Sequence, residues 1–155
     1  MILVLFGPPG AGKTSIAKRL VEVLGDAFLV SSDGFKRRVY DRMMREVGRR
    51  LGRHEYLVLD GTFYRKLWRD KLREIASDER VITIFIDCTL ETCLKRNRVR
   101  EAPIPEKAVN IICKRFERPD QPDVYVDTEN IGVEEAVEII LKELKEYVVL
   151  PPSSS

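Results

Sequence analysis

A chain of 155 residues, 44% of them apolar, has the length and core-forming material of one compact domain, and a net charge of +2 excludes a composition built for indiscriminate polyanion binding. No run approaches the about 18 consecutive apolar residues that cross a bilayer, and the opening Met1-Ile2-Leu3-Val4-Leu5-Phe6 has neither the basic flank nor the cleavage site of a secretory leader. One histidine, His54, gives poor support to multi-histidine metal, Cys-His or Ser-His-Asp chemistry, while Cys88, Cys93 and Cys113 fit no zinc or Cys-x-x-Cys spacing and point to small core thiols in a reducing, cytoplasmic setting.

Residues 2–6 are continuously apolar and β-favouring, the pattern of a strand buried on both faces of a parallel sheet. Gly7-Pro8-Pro9-Gly10-Ala11-Gly12-Lys13-Thr14 follows at once and completes Gly-x-x-x-x-Gly-Lys-Thr, ahead of an amphipathic helix expected over 13–24. The glycines let backbone N–H groups wrap a β-phosphate, and the helix N-terminus adds partial positive charge. Lys13 is suited to bridge β- and γ-phosphates, Thr14 to ligate Mg²⁺, and Ser15 continues the cradle. A ligand-free glycine turn is the bland alternative, but it has no use for a lysine facing into its own loop.

A second strand is expected at 27–30, and Asp33 just beyond it lies where ligands bind parallel sheets. Asp33 is a candidate to orient or deprotonate an acceptor hydroxyl; it could equally cap the next helix, with Ser31 or Ser32 competing for that task. That helix is expected over 34–53. Arg38, Arg42, Arg45, Arg49 and Arg53 fall within about 80° of arc on it, opposite an apolar face. The stripe fits an anionic substrate or an RNA backbone, or else a solvated basic face.

A third strand at 56–59 ends in Asp60, the aspartate expected to hold Mg²⁺ through water. A helix over 64–77, a strand over 81–86 and a helix over 90–98 follow. Arg96, Arg98 and Arg100 at the start of a proline-broken loop, 97–105, resemble a phosphate-closing lid; a solvated charge run is the alternative. A helix over 105–116, a proline-rich loop at 119–122, a strand over 124–126 and a helix over 133–147 complete the pattern, with the base-binding loop placed near 119–122 and Asp127-Thr128. Residues 150–155 read as a disordered tail after a domain spanning 1–149. Strands alternating with helices imply right-handed βαβ units, hence an α/β class, three-layer α/β/α P-loop NTPase fold of the nucleoside/nucleotide-kinase kind with about five parallel strands. No Asn-Lys-x-Asp guanine signature is present, and the length suits a kinase-sized core rather than an AAA+ motor with its lid domain.

These residues resemble the P-loop kinase family that contains L-seryl-tRNA(Sec) kinase and its relative, the elongator-associated tRNA-binding ATPase. Gly7–Thr14 is similar to the family P-loop, and Ser32-Asp33 to the Ser-Asp that carries the family's catalytic aspartate. Residues 59–64 followed by Arg69 are similar to the family stretch Asp-Asp-Thr-Asn-Tyr and its later arginine; the resemblance gives Thr62, Tyr64 and Arg69 substrate-binding roles. Arg96-Asn97-Arg98-Val99-Arg100 fits the family lid Arg-Asn-x-x-Arg, which implies phosphate contacts from Arg96 and Arg100. Residues 104–105 and 116–119 also resemble family segments. Gly61 replaces the second aspartate, Lys36 with Arg37 beside it stands for a substrate-binding arginine, and 119–122 lack the family tryptophan. The seryl-tRNA kinases carry a separate C-terminal tRNA-binding domain, so the present chain is expected to correspond to the kinase domain alone. ATP and Mg²⁺ are the implied cofactors, with an unidentified hydroxyl acceptor and no membrane partner. Two functions follow: an ATP-dependent kinase acting on a small-molecule or tRNA-linked hydroxyl, or a tRNA-associated regulatory ATPase binding through the arginine-rich 36–53 segment.

Overall fold

In the computed structural model, which describes residues 1–76 and 78–149, the apolar runs of the sequence become one five-stranded parallel sheet. The strands are β1 (Ile2–Phe6), β2 (Ala27–Ser31), β3 (Tyr56–Asp60), β4 (Val81–Asp87) and β5 (Val124–Asp127), in the order β2-β3-β1-β4-β5. The helices are α1 (Lys13–Leu24), α2 (Val39–Arg50), α3 (Lys66–Ala76), α4 (Leu90–Arg98), α5 (Glu106–Arg115) and α6 (Val133–Val149). No described helix is long and apolar enough to cross a membrane. The expected tail 150–155 lies outside the described residues.

β1 is wholly buried because helices cover both its faces, and its side chains split by strict alternation. Leu3 and Leu5 join Ile16, Leu20, Val137 and Ile140 from α1 and α6. Ile2, Val4 and Phe6 join Met43, Val47 and Leu72 from α2 and α3. The resulting three layers bury two cores, one on each side of the sheet. Edge strand β5 shows the opposite economy, with Val124 and Val126 buried and Tyr125 and Asp127 exposed.

Helices α2 and α3 begin later than expected. The segment expected as one helix over 34–53 forms its helix only over Val39–Arg50. Ser32–Gly34 instead makes a single 3₁₀ turn, Phe35 is extended, and Arg38 sits in the left-handed region at φ 48°. Arginine periodicity persists through this break, so it could not reveal it. The helix expected from residue 64 starts at Lys66, because Phe63 turns the chain at φ 41° and the Tyr64 carbonyl accepts the Glu117 N–H at 2.7 Å.

Candidate active site

The phosphate loop leaves β1 at the sheet's carboxyl edge, beside the strand-order reversal where parallel sheets form crevices. Gly7 has no room for a side chain: a Cβ there would stand 1.9 Å from the Ile86 carbonyl oxygen on the neighbouring strand. Gly10 combines φ +86° with a Cβ position 2.7 Å from the Cys93 carbonyl oxygen. α1 then begins with no side-chain cap, so its first-turn N–H groups have no capping oxygen and suit an anion. Lys13 is buried at this mouth with Nζ donating to the Pro8 carbonyl at 2.8 Å. Burial pulls its pKa below the ordinary lysine value, and the nearby Asp60 carboxylate opposes that shift.

Parallel register aligns Ser31 with Asp60 and Asp60 with Leu5, which brings three strand ends together beside the loop. The Thr14 hydroxyl donates to Asp60 Oδ2 at 2.7 Å, and the Ser31 hydroxyl reaches the same oxygen at 3.1 Å. A hydroxyl and a carboxylate, both hard oxygen donors, suit a Mg²⁺ ion that takes its remaining ligands from water and phosphate. Asp33 sits two residues after Ser31 in the 3₁₀ turn, whose cap is Ser31: its Oγ accepts the Asp33 N–H at 3.3 Å. The Asp33 carboxylate is therefore not spent on capping and is exposed to the cleft.

A cavity of about 590 Å³ lies over these groups. Its wall includes Pro9, Gly10, Gly12, Lys13, Thr14, Ser15, Asp33, Asp60, Thr62, Arg96 and Arg100, all singled out from sequence. Ser32 and Ile104, noted from sequence without a site role, also line it, as do Lys18, Glu101 and Ala102, which were not noted. Lys18 was detectable, since it stands four residues after Thr14 and three after Ser15, on the helix face that opens to the cleft.

The two lid arginines differ. Arg96, in the last turn of α4, is half-buried and holds the phosphate loop from behind. Its Nη1 donates to Thr128 Oγ1 at 2.9 Å and approaches the Gly10 and Ala11 carbonyls at 3.4 and 3.3 Å, while Nη2 donates to the Thr128 carbonyl at 2.5 Å. Thr128, placed with the base-binding loop from sequence, is buried and donates to the Ala11 carbonyl at 2.7 Å. Arg100 is exposed beyond the helix end. Arg98 points elsewhere, paired with Glu106 at 2.6 Å. Buried Asn97 closes the loop base, donating to the Ile104 carbonyl at 2.6 Å and accepting the Ile104 N–H at 2.9 Å.

Several expected residues lie off the cavity wall. Gly7, Pro8 and Ala11 are buried backbone supports of the loop, and Lys36 and Arg37 are exposed in the irregular stretch before α2. Tyr64 does not line the cavity, and neither does Arg69. The Arg69 guanidinium donates to the Phe63 and Glu117 carbonyls, each at 2.7 Å, and lies over the Phe6 ring at 5.0 Å. A buried fork engaged by two backbone carbonyls ties two segments together, at the position for which the resemblance implied a substrate contact. Tyr40, unnoticed in the sequence, supports the opposite wall: its hydroxyl accepts the Phe63 N–H at 2.9 Å and meets Thr62 Oγ1 at 2.7 Å.

On α2, Arg42, Arg45 and Arg49 are exposed while Met43, Met44 and Val47 are buried. Arg49 approaches Glu46 at 3.6 Å; Arg42 and Arg45 have no ion pair among the described residues. The face expected to span 36–53 is thus real but shorter, with Lys36, Arg37, Arg38 and Arg53 outside the helix.

A family model described as an AAA domain matches residues 2–119. The L-seryl-tRNA(Sec) kinase of Mus musculus is 36% identical over 67 residues, 42% of this chain and 19% of that protein. A probable adenylyl-sulfate kinase of Halalkalibacterium halodurans is 38% identical over 78 residues, 46% of this chain and 38% of that protein. The chain thus spans well under two thirds of the length of these curated relatives. Among solved structures, a gluconokinase from Sinorhizobium meliloti superposes with TM-score 0.76 at 20% identity, covering 94% of this chain and 91% of its own. Kti12 of Chaetomium thermophilum, solved with ADP-AlF3, superposes with TM-score 0.74 at 18% identity, covering 92% and 98%. At those identities the superpositions establish the fold. The family match carries the assignment further, and on it the chain belongs to the AAA domain family, in a group whose relatives are P-loop kinases.

Proposed function

We propose that the protein is a Mg²⁺-dependent ATP kinase that transfers the γ-phosphoryl group to a hydroxyl of a small-molecule or tRNA-linked acceptor. The observation that carries this is the convergence of Lys13, Thr14, Asp60 and Asp33 on one cavity, with Arg100 at its rim. The N–H groups of 10–15 hold the phosphates, and Lys13 exchanges the Pro8 carbonyl for phosphate oxygens. Thr14 and Asp60 hold Mg²⁺, which when bound neutralises phosphate charge. Asp33 orients the acceptor hydroxyl and takes its proton. Arg96 keeps the loop in shape, and Arg100 adds charge to the travelling phosphoryl group. Thr62 faces the acceptor, with Lys36 and Arg37 outside the cleft for any anionic extension. The relatives' names span a seryl-tRNA and adenylyl sulfate, so the acceptor class stays broad.

Asp33→Asn tests the assignment, with γ-labelled ATP offered against metabolite pools and total tRNA. Transfer to the labelled acceptor should fall about 10²- to 10⁴-fold with ATP binding retained. ATP hydrolysis stimulated by tRNA, with no labelled product in the parent protein, would sink the kinase proposal. That outcome is the second reading, a tRNA-associated ATPase, favoured by the unpaired Arg42 and Arg45 on the exposed face of α2. Replacing Arg42, Arg45 and Arg49 by alanine should then weaken tRNA binding and reduce its salt slope by about 3 at most. An unchanged slope makes the face a solvated surface.

A further inference from the structure

The three cysteines sit apart in sequence, after β4, on α4 and on α5, and the fold gathers them into one cluster. Cys93 is fully buried at its centre, with Cys88 Sγ 2.8 Å from Cys93 Sγ and Cys113 near enough to help push up the pKa of the same thiol. A disulfide has S–S of about 2.05 Å, so joining Cys88 to Cys93 takes less than about 1 Å of approach. The cluster lies directly against the phosphate loop. Gly10 rests on the Cys93 backbone, where an added Cβ would stand 2.7 Å from the carbonyl oxygen. One helical turn later Arg96 reaches the Gly10 and Ala11 carbonyls. Any shift of Cys93 toward Cys88 is therefore felt by the loop that cradles phosphate.

We propose that Cys88 and Cys93 form a reversible disulfide, an oxidative modification site whose co-reactant is hydrogen peroxide and whose closure weakens nucleotide binding. Cys88 is half-buried, and a hydrogen bond from Cys93 together with the Arg96 charge lowers its thiol pKa. Cys93 is pushed far up by its hydrogen bonds to Cys113 and Cys88 and by burial, so it stays a protonated donor. Cys88 is then the attacking sulfur. Its thiolate takes one peroxide oxygen, the O–O bond breaks, and the departing oxygen leaves as water with a solvent proton, giving a sulfenic acid. The Cys93 sulfur displaces that hydroxyl: the S–S bond forms, the S–O bond breaks, and the Cys93 proton leaves in a second water. Two thiols are oxidised by two electrons and one peroxide is reduced to two waters. A dithiol reductant reverses the bond by exchange.

The effect on nucleotide rests on the phosphate-loop assignment above; the bridge itself does not. The test treats the full chain with hydrogen peroxide, alkylates remaining thiols, maps the bridge by peptide mass, and titrates a fluorescent ATP analogue before oxidation, after it and after dithiol reduction. The expected result is a Cys88–Cys93 bridge with Cys113 still alkylated, and affinity lowered about fivefold or more until reduction restores it. Cys88→Ser should bind the analogue as the reduced parent does and ignore the peroxide. Free Cys88 and Cys93 after treatment, a bridge through Cys113, or equal affinity in both forms would overturn the proposal. A reduced parent that binds no nucleotide, yet still forms the bridge, would count against the phosphate-loop assignment and leave the modification site standing.

Discussion

Arg69→Met separates a structural arginine from a substrate-binding one. Arg69 is 6% exposed and joins two segments far apart in sequence, the Phe63 turn and the Glu117 strand-like stretch, through two bonds of 2.7 Å. Burial lowers its pKa from the ordinary arginine value, and the Glu117 and Asp70 carboxylates oppose that shift. Phe63 adds a reason for the tie. A buried aromatic residue at φ 41° is strained, and it stays there because Tyr40 holds its N–H while Arg69 holds its carbonyl. Two hydrogen bonds from a charged donor are together worth about 3–6 kcal/mol, and methionine fills the space but leaves both carbonyls unmet. Against a total stability of about 5–15 kcal/mol that is a large loss. For a chain of this size it corresponds to a melting temperature lower by on the order of 10 °C. Thermal and urea unfolding measure it, with an ATP-analogue titration on the folded fraction. The structure requires a lower midpoint with analogue affinity near the parent's, since the cradle of Gly10–Thr14 is untouched. A parent-like midpoint combined with weakened acceptor binding would refute the tie and restore Arg69 to the substrate.

Asn97→Ala should remove both side-chain bonds that close the 97–104 loop. At about 1 kcal/mol per bond, amide hydrogen exchange across 98–104 should quicken at least several-fold while that of α1 does not change; equal exchange in both proteins would contradict the clamp. The Cys113 thiol is held at about 7 by its hydrogen bond with Cys93 and by the Lys13 charge. Its folded-state value lies below the ordinary thiol value, so the thiolate is present above that pH and lost below it. Alkylation of Cys113 by iodoacetamide should accordingly rise through about pH 7. A midpoint near the ordinary thiol value would remove that contact.

Most of the fold could be read because a parallel sheet buried on both faces writes itself as unbroken apolar runs. Ile2–Phe6 and the five-strand count needed no tertiary information. The start of α2 did, because its helical arginine spacing continues across a 3₁₀ turn and a left-handed Arg38 that only Ser31 capping and chain geometry select. Likewise the thiols carry no spacing signal. Cys88 and Cys93 meet at a strand-to-helix turn, and Cys113 joins from a different helix, so their cluster is a product of how α4 and α5 pack.

The donor half of the candidate site was legible for a related reason: one contiguous segment, 7–14, supplies both the backbone shape and the lysine. Asp60 adds itself by standing at a strand end, where parallel register fixes its neighbour. The side proposed for the acceptor is assembled differently. Its wall depends on Tyr40 bonding Thr62 and Phe63, and the lid loop depends on Asn97 bonding Ile104. Each of these links elements or loop ends through a side-chain hydrogen bond that leaves no periodic or spacing signature. A motif match can therefore carry Arg69 to the acceptor while the fold spends it on Phe63 and Glu117. Asp33, Thr62, Lys18 and Glu101, all on the cavity wall, combine two carboxylates, a hydroxyl and an ammonium. Such a wall can pair with the hydroxyl and charged groups of a polar acceptor and offers little to an apolar one, which makes polar, hydroxyl-bearing molecules the first pool to screen.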